Sequence, residues 1–163
     1  MKRYTSILLS VLCIAACTKK AEYPWFAGSF EDAKANAGEK LIMLDFYATW
    51  WGGCNLLDAD TFSNPEVAQH AAENLISVKV DVDKKEGSDL FSTFNGTAMP
   101  TLIFLDGAGN EVDRIIGYLP PEQYQARLAE IEANVNTLDA CLQKYENGER
   151  TSHLLFTMAQ KYS

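Results

Sequence analysis

The chain has 163 residues, of which 47% are hydrophobic and 22% are charged, and these values are typical of one globular domain with short appendages. The formal net charge is −8, and such an acidic surface repels phosphate backbones, which argues against nucleic-acid binding. The two histidines, His70 and His153, lie far apart without metal-ligand spacing, so no metal site is expected.

A short basic start and a mostly apolar run form the N-terminus. The run from Ile7 to Ala16 is shorter than the roughly 20 apolar residues that span a membrane, so residues 1–16 are predicted to be a signal peptide. Ile14-Ala15-Ala16-Cys17 resembles a bacterial lipobox. The resemblance implies that Cys17 is lipidated and anchors the protein to a membrane, with residues 17–24 as the tether. A plain secretory signal is the alternative.

The centre of the chain alternates helix and strand patterns. A helix is predicted over residues 30–37, before Gly38, and later helices are predicted from Asn64-Pro65, over 88–94 and over 120–133. Apolar strands are predicted over 41–48, 75–81 and 101–105, and an antiparallel partner over 111–116. The segment between the first strand and Asn64 is interpreted as a loop. This order predicts an α/β fold with a central mixed sheet flanked by helices.

In such a sheet the functional site lies where a strand's carboxyl end meets a helix N-terminus, here after Tyr47. The sequence there is Asp45-Phe46-Tyr47-Ala48-Thr49-Trp50-Trp51-Gly52-Gly53-Cys54, which resembles the thioredoxin motif Asp-Phe-x-Ala-x-Trp-Cys-Gly-x-Cys. Met99-Pro100-Thr101, Lys79 and Gly117 match other features of that family. Residues 61–67 resemble its envelope thiol:disulfide interchange subgroup. The resemblance implies a thioredoxin-like domain over residues 25–133.

The departure from the family pattern is Trp51, which stands where the family has its nucleophilic cysteine. An indole neither ionises nor attacks sulfur, so the usual two-cysteine cycle cannot run on this motif alone. Cys54 corresponds to the resolving cysteine. It is open to three interpretations: a buried apolar residue, a single thiol that forms mixed disulfides or scavenges oxidants, or a disulfide partner of Cys141. Nothing in the sequence brings Cys141 close, and we do not expect that pair.

Other site residues follow from the same resemblance. Asp45 corresponds to the buried carboxylate that accepts the proton of the resolving cysteine, and burial is expected to raise its pKa; alternatively it pairs with Lys79 or a water. Pro100 corresponds to the family's cis-proline, where extended substrate segments dock beside Met99. Trp50 and Trp51 would enlarge this apolar surface, although a core position for Trp50 is equally consistent with the sequence.

The last part of the chain, residues 134–163, is predicted to be a helical hairpin. Val135, Leu138, Leu142 and Tyr145 have helical spacing, and Leu154, Leu155, Met158 and Tyr162 repeat it after Asn147-Gly148. The pattern resembles the first half of a tetratricopeptide-type array. One hairpin cannot bury its own apolar face. It therefore packs on the domain or on a partner, or else the chain continues further.

Two functions follow from these observations. The first is thiol–disulfide exchange in the cell envelope, impaired by the loss of the nucleophile, on thiols and disulfides of exported proteins and with a membrane reductant carrier as a redox partner. The second is a redox-inactive module that binds extended peptides or partner proteins. A third, weaker hypothesis is peroxide or glutathione-linked chemistry at Cys54. No cofactor is expected for any of them.

Overall fold

The computed structural model describes residues 21–161. The predicted signal peptide, Cys17 and Tyr162 therefore lie outside the described residues. Residues 21–24, the described part of the predicted tether, pack against the domain. The Ala21 N–H donates to the Ser63 carbonyl, and Tyr23 is buried. The rings of Trp25 and Phe62 pack against Tyr23, with centroids 4.4 and 4.5 Å away. The packed core thus includes residues just before position 25.

Four strands form one mixed sheet in the order β2-β1-β3-β4. Their bounds are β1 Leu41–Tyr47, β2 Leu75–Asp81, β3 Thr101–Leu105 and β4 Glu111–Ile116. Strand β1 pairs parallel with β2 and antiparallel with β3, and β3 pairs antiparallel with β4. The predicted strands and the mixed sheet are confirmed.

Within residues 21–161, seven α-helices and one π-helical turn accompany the sheet. Their bounds are α1 Phe30–Asn36, α2 Gly52–Leu56, the π-helical turn Leu57–Thr61, α3 Pro65–Asn74, α4 Lys85–Thr93, α5 Pro121–Glu132, α6 Leu138–Glu146 and α7 Ser152–Gln160. Local chemistry explains two of the starts. Ser29 forms a capping box with Asp32 at α1, and the Asn64 side chain caps α3 with Pro65 in its first turn.

The segment before Asn64 differs from the predicted loop. It is helical almost throughout, because α2 continues into the π-helical turn, which keeps Leu57 and Thr61 buried under the sheet. The turn is held at its end by the Thr61 hydroxyl, which donates to the Leu119 carbonyl at 2.5 Å. A further difference is that α4 begins at Lys85 rather than at Ser88.

Alternation along β1 decides which residues face each layer of helices. Ile42, Leu44 and Phe46 belong to the core cluster that packs against α1 and α4, whereas Met43 belongs to the cluster that includes residues of α3 and α5. Because strand side chains alternate between the faces, Asp45 points to the same face as Met43. Asp45 therefore lies on the face that carries the π-helical turn, α3 and α5.

The C-terminal hairpin packs on this domain. Helix α6 lies against β4, with Leu138 and Cys141 buried, and Leu154 of α7 is buried as well. Val135, which the sequence pattern includes in the helix, precedes α6 and is 49% exposed. This extension to Val135 was wrong because the left-handed backbones of Asn134 and Asn136 interrupt the helical path.

A buried carboxylate in β4 connects the hairpin to the domain. Asp113 is 0% exposed, and its Oδ2 accepts hydrogen bonds from Arg127 of α5 and from Lys161 at 2.8 Å. Its Oδ1 accepts from the Leu138 N–H at 3.3 Å. Both oxygens are therefore paired, with groups that come from α5, α6 and the residue after α7.

Candidate functional site

The site forms where β1 ends and α2 begins. After Tyr47 the chain turns through residues 48–51, and the Trp51 N–H donates to the Ala48 carbonyl at 3.1 Å. Trp51 is the N-cap of α2, with extended backbone angles and no side-chain capping bond. The Asn55 side chain donates to the Thr49 carbonyl at 3.1 Å and holds the turn from the other side. The sequence motif thus lies at the strand–helix junction that it predicts.

Trp51 presents its indole at the rim of the site, with 44% of the residue exposed. Its Nε1 lies 3.2 Å from the position that a Cβ on Gly53 would take, and Pro100 Cδ lies 3.2 Å from the same position. The indole and the proline ring therefore both border Gly53, which has no side chain to fill the space between them. Gly52 has nothing within 4 Å of its own Cβ position, so there is free space beside this residue at the start of α2.

Cys54 lies one turn inside α2 and is 3% exposed. Burial raises the pKa of its thiol above the ordinary value, the charges of Asp45 and Asp58 add to this rise, and a backbone hydrogen bond at Ala48 and the charge of Lys79 oppose it. The thiol is therefore protonated at neutral pH and needs a base before it can react. Cys54 and Cys141 are both free, buried cysteines, so the structure does not join them.

Asp45 is buried with 1% exposure. Its Oδ1 has no hydrogen-bond partner, and Oδ2 lies 3.8 Å from Lys79 Nζ. Burial raises the pKa of Asp45 to about 7, against the lowering effect of the Lys79 charge. The predicted rise in the pKa is confirmed, and the alternative pairing with Lys79 is present as well, as an ion pair at 3.8 Å that leaves Oδ1 without a partner. Asp45 exchanges a proton close to neutral pH and can serve as the base that Cys54 lacks.

Lys79 makes its closest contacts with a residue that the sequence analysis missed. Its Nζ donates to Asp58 Oδ1 at 2.6 Å and to Oδ2 at 2.5 Å. The rings of Tyr47 and Trp25 flank the same ammonium, with centroids 4.4 and 5.1 Å away. Asp58 could have been found from its spacing, because it follows Cys54 by four residues and such residues share one face of a helix.

Trp50 forms the outer wall of the site. It is 64% exposed, so the core position that the sequence left open is wrong. Its Nε1–H donates to Asp83 Oδ2 at 2.8 Å, which fixes the ring on the surface. The rings of Trp50 and Trp51 stand at 85° with centroids 5.9 Å apart. Together they form an exposed apolar corner at the start of α2.

Pro100 completes the site from β3. The Met99–Pro100 bond is cis, as the resemblance implies, and Pro100 is buried while Met99 is partly exposed. The Pro100 carbonyl accepts from the Gly117 N–H at 2.8 Å, and the Thr101 hydroxyl donates to the Ala98 carbonyl at 2.7 Å. The structure thus brings together Asp45, Cys54, Trp51 and Pro100, with Trp50 and Met99 at the edge.

Neither a metal site nor a membrane span is found in the part of the chain that the structure describes. Residues 21–161 contain no group of three or more His, Cys, Asp or Glu side chains that could hold a metal ion. Within the same residues, no helix is both long enough and apolar enough to cross a bilayer.

Known proteins resemble this chain over the domain that carries the site. Residues 28–132 match the family described as "Thioredoxin-like domain". A thioredoxin from Alicyclobacillus acidocaldarius is 36% identical over 98 residues, which are 60% of this chain and 88% of that protein. The solution structure of a thioredoxin from Thermus thermophilus superposes with a TM-score of 0.60 at 24% identity, and it covers 68% of this chain and 88% of its own. The α/β fold is therefore the thioredoxin-like fold.

Larger proteins match as well, but only in part. The thiol:disulfide interchange protein DsbD of Tatumella citrea is 30% identical over 102 residues, which are 61% of this chain. The match spans 18% of the length of that relative. The similarity thus concerns one segment of the longer protein.

Proposed function

This chain belongs to the thioredoxin-like family, and on that basis we propose that it carries out thiol–disulfide exchange in the cell envelope through the single motif thiol, Cys54. The observation that carries the proposal is Asp45: a buried carboxylate with an unpartnered oxygen, whose charge acts on the Cys54 thiol. A buried carboxylate oxygen without a hydrogen-bond partner costs stability. A carboxylate that is close enough to act on the Cys54 thiol can take the proton of that thiol.

The proposed step uses Asp45 and Cys54 together. Above pH 7, Asp45 is mostly ionised and takes the proton of the Cys54 thiol. The Cys54 thiolate then attacks one sulfur of a substrate disulfide, forming a Cys54–substrate disulfide while the substrate's own S–S bond breaks. The released substrate thiolate takes up a proton from water. A separate thiol, on the substrate or on a reductant, must later resolve the mixed disulfide, because position 51 holds no second cysteine.

Reaching Cys54 requires movement of the first turn of α2, since the thiol is 3% exposed. Gly52 and Gly53 give this turn backbone freedom, and the space around Gly52 is open. Exchange is therefore expected to be slow compared with that of a family member that has both cysteines. The substitution at position 51 thus lowers the activity without removing the proton acceptor.

A trapping experiment tests the role of Cys54. The protein is incubated at pH 8 with glutathione disulfide, and peptide mapping by mass spectrometry locates the adducts. An adduct on Cys54 is expected in the native protein and in Cys141→Ser, the variant that removes the other buried thiol. No corresponding adduct is expected in Cys54→Ser. Absence of a Cys54 adduct in both of the first two proteins would reject the proposal.

A gain-of-function variant tests the rest of the site. Trp51→Cys restores a sulfur at the N-cap of α2, where the helix dipole stabilises a thiolate, and it should confer insulin-reducing turnover that the native protein lacks. Trp50→Cys is the matched control, because it adds an exposed cysteine one residue away from the N-cap. Equal rates of insulin reduction by the two variants would show that activity does not depend on where the new thiol lies. That result would contradict an intact site around position 51.

The cell-envelope location rests on the N-terminal sequence. Lipidation at Cys17 would place the protein on the periplasmic side of the inner or outer membrane, or on the bacterial cell surface, near exported proteins and a membrane reductant carrier. Metabolic labelling with a radioactive fatty acid tests this location. We expect label in the native protein and none in Cys17→Ser; an unlabelled native protein would contradict the anchor.

A second candidate is binding of extended polypeptides without redox chemistry. The exposed corner of Trp50 and Trp51 favours it, because the Trp51 indole adjoins Pro100, and exposed indoles are frequent anchors of interfaces. Reduced and alkylated polypeptides, which offer no sulfur chemistry, provide the test. Binding that is lost in Trp51→Ala but kept in Cys54→Ser supports the binding module, and no measurable binding by native protein rejects it.

A further inference from the structure

Lys79 lies between two carboxylates and pairs closely with only one of them. Its Nζ is 2.5 and 2.6 Å from the oxygens of Asp58, but 3.8 Å from Asp45 Oδ2. Asp45 is the buried member of the pair, whereas the Asp58 side chain is 41% exposed. A buried carboxylate gains more from a nearby cation than an exposed one does, because the local dielectric is lower. Lys79 therefore lies closer to the exposed Asp58, although its charge would stabilise the buried Asp45 more.

The backbone explains how Asp58 reaches the cation. Asp58 lies on the π-helical turn Leu57–Thr61, four residues after Cys54. Single π-helical turns of this kind occur frequently at functional sites. The next carboxylate on the same turn, Asp60, is engaged elsewhere, because the Tyr118 hydroxyl donates to it. The two carboxylates of the turn thus have separate partners, and only Asp58 contacts the cation next to Asp45.

We infer that Asp58 is a positioning residue that holds the Lys79 ammonium away from Asp45, and thereby keeps Asp45 able to take and return the proton of Cys54. The inference rests on the proposed function, since it assigns Asp45 the role of base. It adds a competition between two carboxylates for one cation.

The physical consequence concerns the strength of the base. If Lys79 moved into contact with Asp45, the ion pair would lower the pKa of Asp45, and a weakly basic carboxylate takes a proton from a thiol less readily. Six titratable side chains lie in this region: Asp45, Lys79, Asp58, Cys54, Tyr23 and Tyr124. Burial raises the pKa of Tyr23 to about 12 and that of Tyr124 well above its ordinary value. Both tyrosines therefore stay neutral while Asp45 titrates.

The experiment follows the Asp45 carboxyl carbon by NMR during a pH titration of the full chain. In Asp58→Asn, Lys79 is free to close on Asp45, and the midpoint of the Asp45 titration should fall by about one pH unit or more. Asp60→Asn is the matched control, because it removes a neighbouring charge on the same turn without freeing Lys79. Its midpoint should stay close to that of the native protein.

A double variant separates competition for Lys79 from the direct charge effect of Asp58. Asp58 also raises the pKa of Asp45 through its own charge, and this effect persists without the lysine. In a Lys79→Met background, Asp58→Asn should therefore lower the midpoint by less than half as much as in the native background. Equal shifts in the two backgrounds would overturn the inference, as would an unchanged midpoint in Asp58→Asn.

This readout is independent of exchange activity. If Cys54 forms no mixed disulfide but the Asp45 midpoint shifts as expected, the proposed function fails while the competition for Lys79 stands. If Cys54 reacts and the midpoint does not shift, the positioning role of Asp58 fails alone.

Discussion

Asp45 and Asp113 are both fully buried carboxylates, but their surroundings differ. Asp113 of β4 accepts hydrogen bonds from Arg127, Lys161 and the Leu138 N–H, so each of its oxygens is paired. Asp45 of β1 has one oxygen without a partner and a single cation at 3.8 Å. The comparison indicates that the first carboxylate holds structural elements together, whereas the second keeps a titratable proton inside the domain at a cost in stability.

The largest effect is expected where the paired carboxylate is removed. Asp113→Asn leaves the buried Lys161 without a counter-charge and leaves Arg127 with only the exposed Glu130 as a partner, and breaking such a buried pair typically costs about 3 to 5 kcal/mol. Urea denaturation at pH 7 measures the loss as a lower free energy of unfolding. An unchanged value would mean that the two cations find water or other acceptors, and that Asp113 does not join the hairpin to the domain.

Substitution of Asp45, the carboxylate with one oxygen unpartnered, is expected to have the opposite effect on stability. The pKa of Asp45 is raised to about 7 from 3.8, so the folded state binds the proton more tightly than the unfolded state does. The loss in the free energy of unfolding that the Asp45 charge causes is absent below about pH 4, grows between pH 4 and 7, and is complete above that range. Asp45→Asn should therefore stabilise the protein by about 2 to 4 kcal/mol at pH 8.

The pH profile of Asp45→Asn provides its own control. At pH 4 the native Asp45 is protonated in the folded state and resembles asparagine in size and charge, so the gain should be close to zero. Denaturation curves at pH 4, 6 and 8 measure the trend. A gain that does not vary with pH would show that packing, rather than the buried charge, causes it.

Removing one of the two cations at Asp113 should have an intermediate effect. Lys161→Met keeps the apolar stem and leaves Arg127 to pair with Asp113, so we expect a loss of about 1 to 2 kcal/mol. Amide hydrogen exchange should rise in α7 and stay unchanged in β1, because Lys161 follows α7 directly. Uniformly faster exchange across the domain would contradict a local role in holding the hairpin.

A surface carboxylate should show the smallest effect. Asp89 pairs with Lys85 at 2.6 Å on α4, but both side chains are largely exposed. Asp89→Asn should change the free energy of unfolding by less than about 0.5 kcal/mol, measured by the same urea method. A change as large as that for Asp113 would mean that burial does not explain the difference between these carboxylates.

Local patterns were sufficient to predict most elements of the domain. Apolar runs and turn residues placed the four strands, and the Asn64-Pro65 pair placed the start of α3, because these signals depend on nearest neighbours in the chain. The π-helical turn was not predicted, since Leu57 and Thr61 take their positions from burial under the sheet and from the Leu119 carbonyl, which is distant in sequence. The start of α4 was predicted three residues too late.

At the site, the sequence by itself determined which residues meet: the motif residues Asp45, Trp51 and Cys54 follow one strand, and strand alternation sets the face of Asp45. Only the tertiary structure decided how the charges are shared. Asp58, Lys79 and Asp45 come from three different elements, and whether Lys79 pairs with one carboxylate or the other depends on distances of a few ångströms. Coulomb energies and desolvation change steeply over such distances, and no spacing in the chain encodes them.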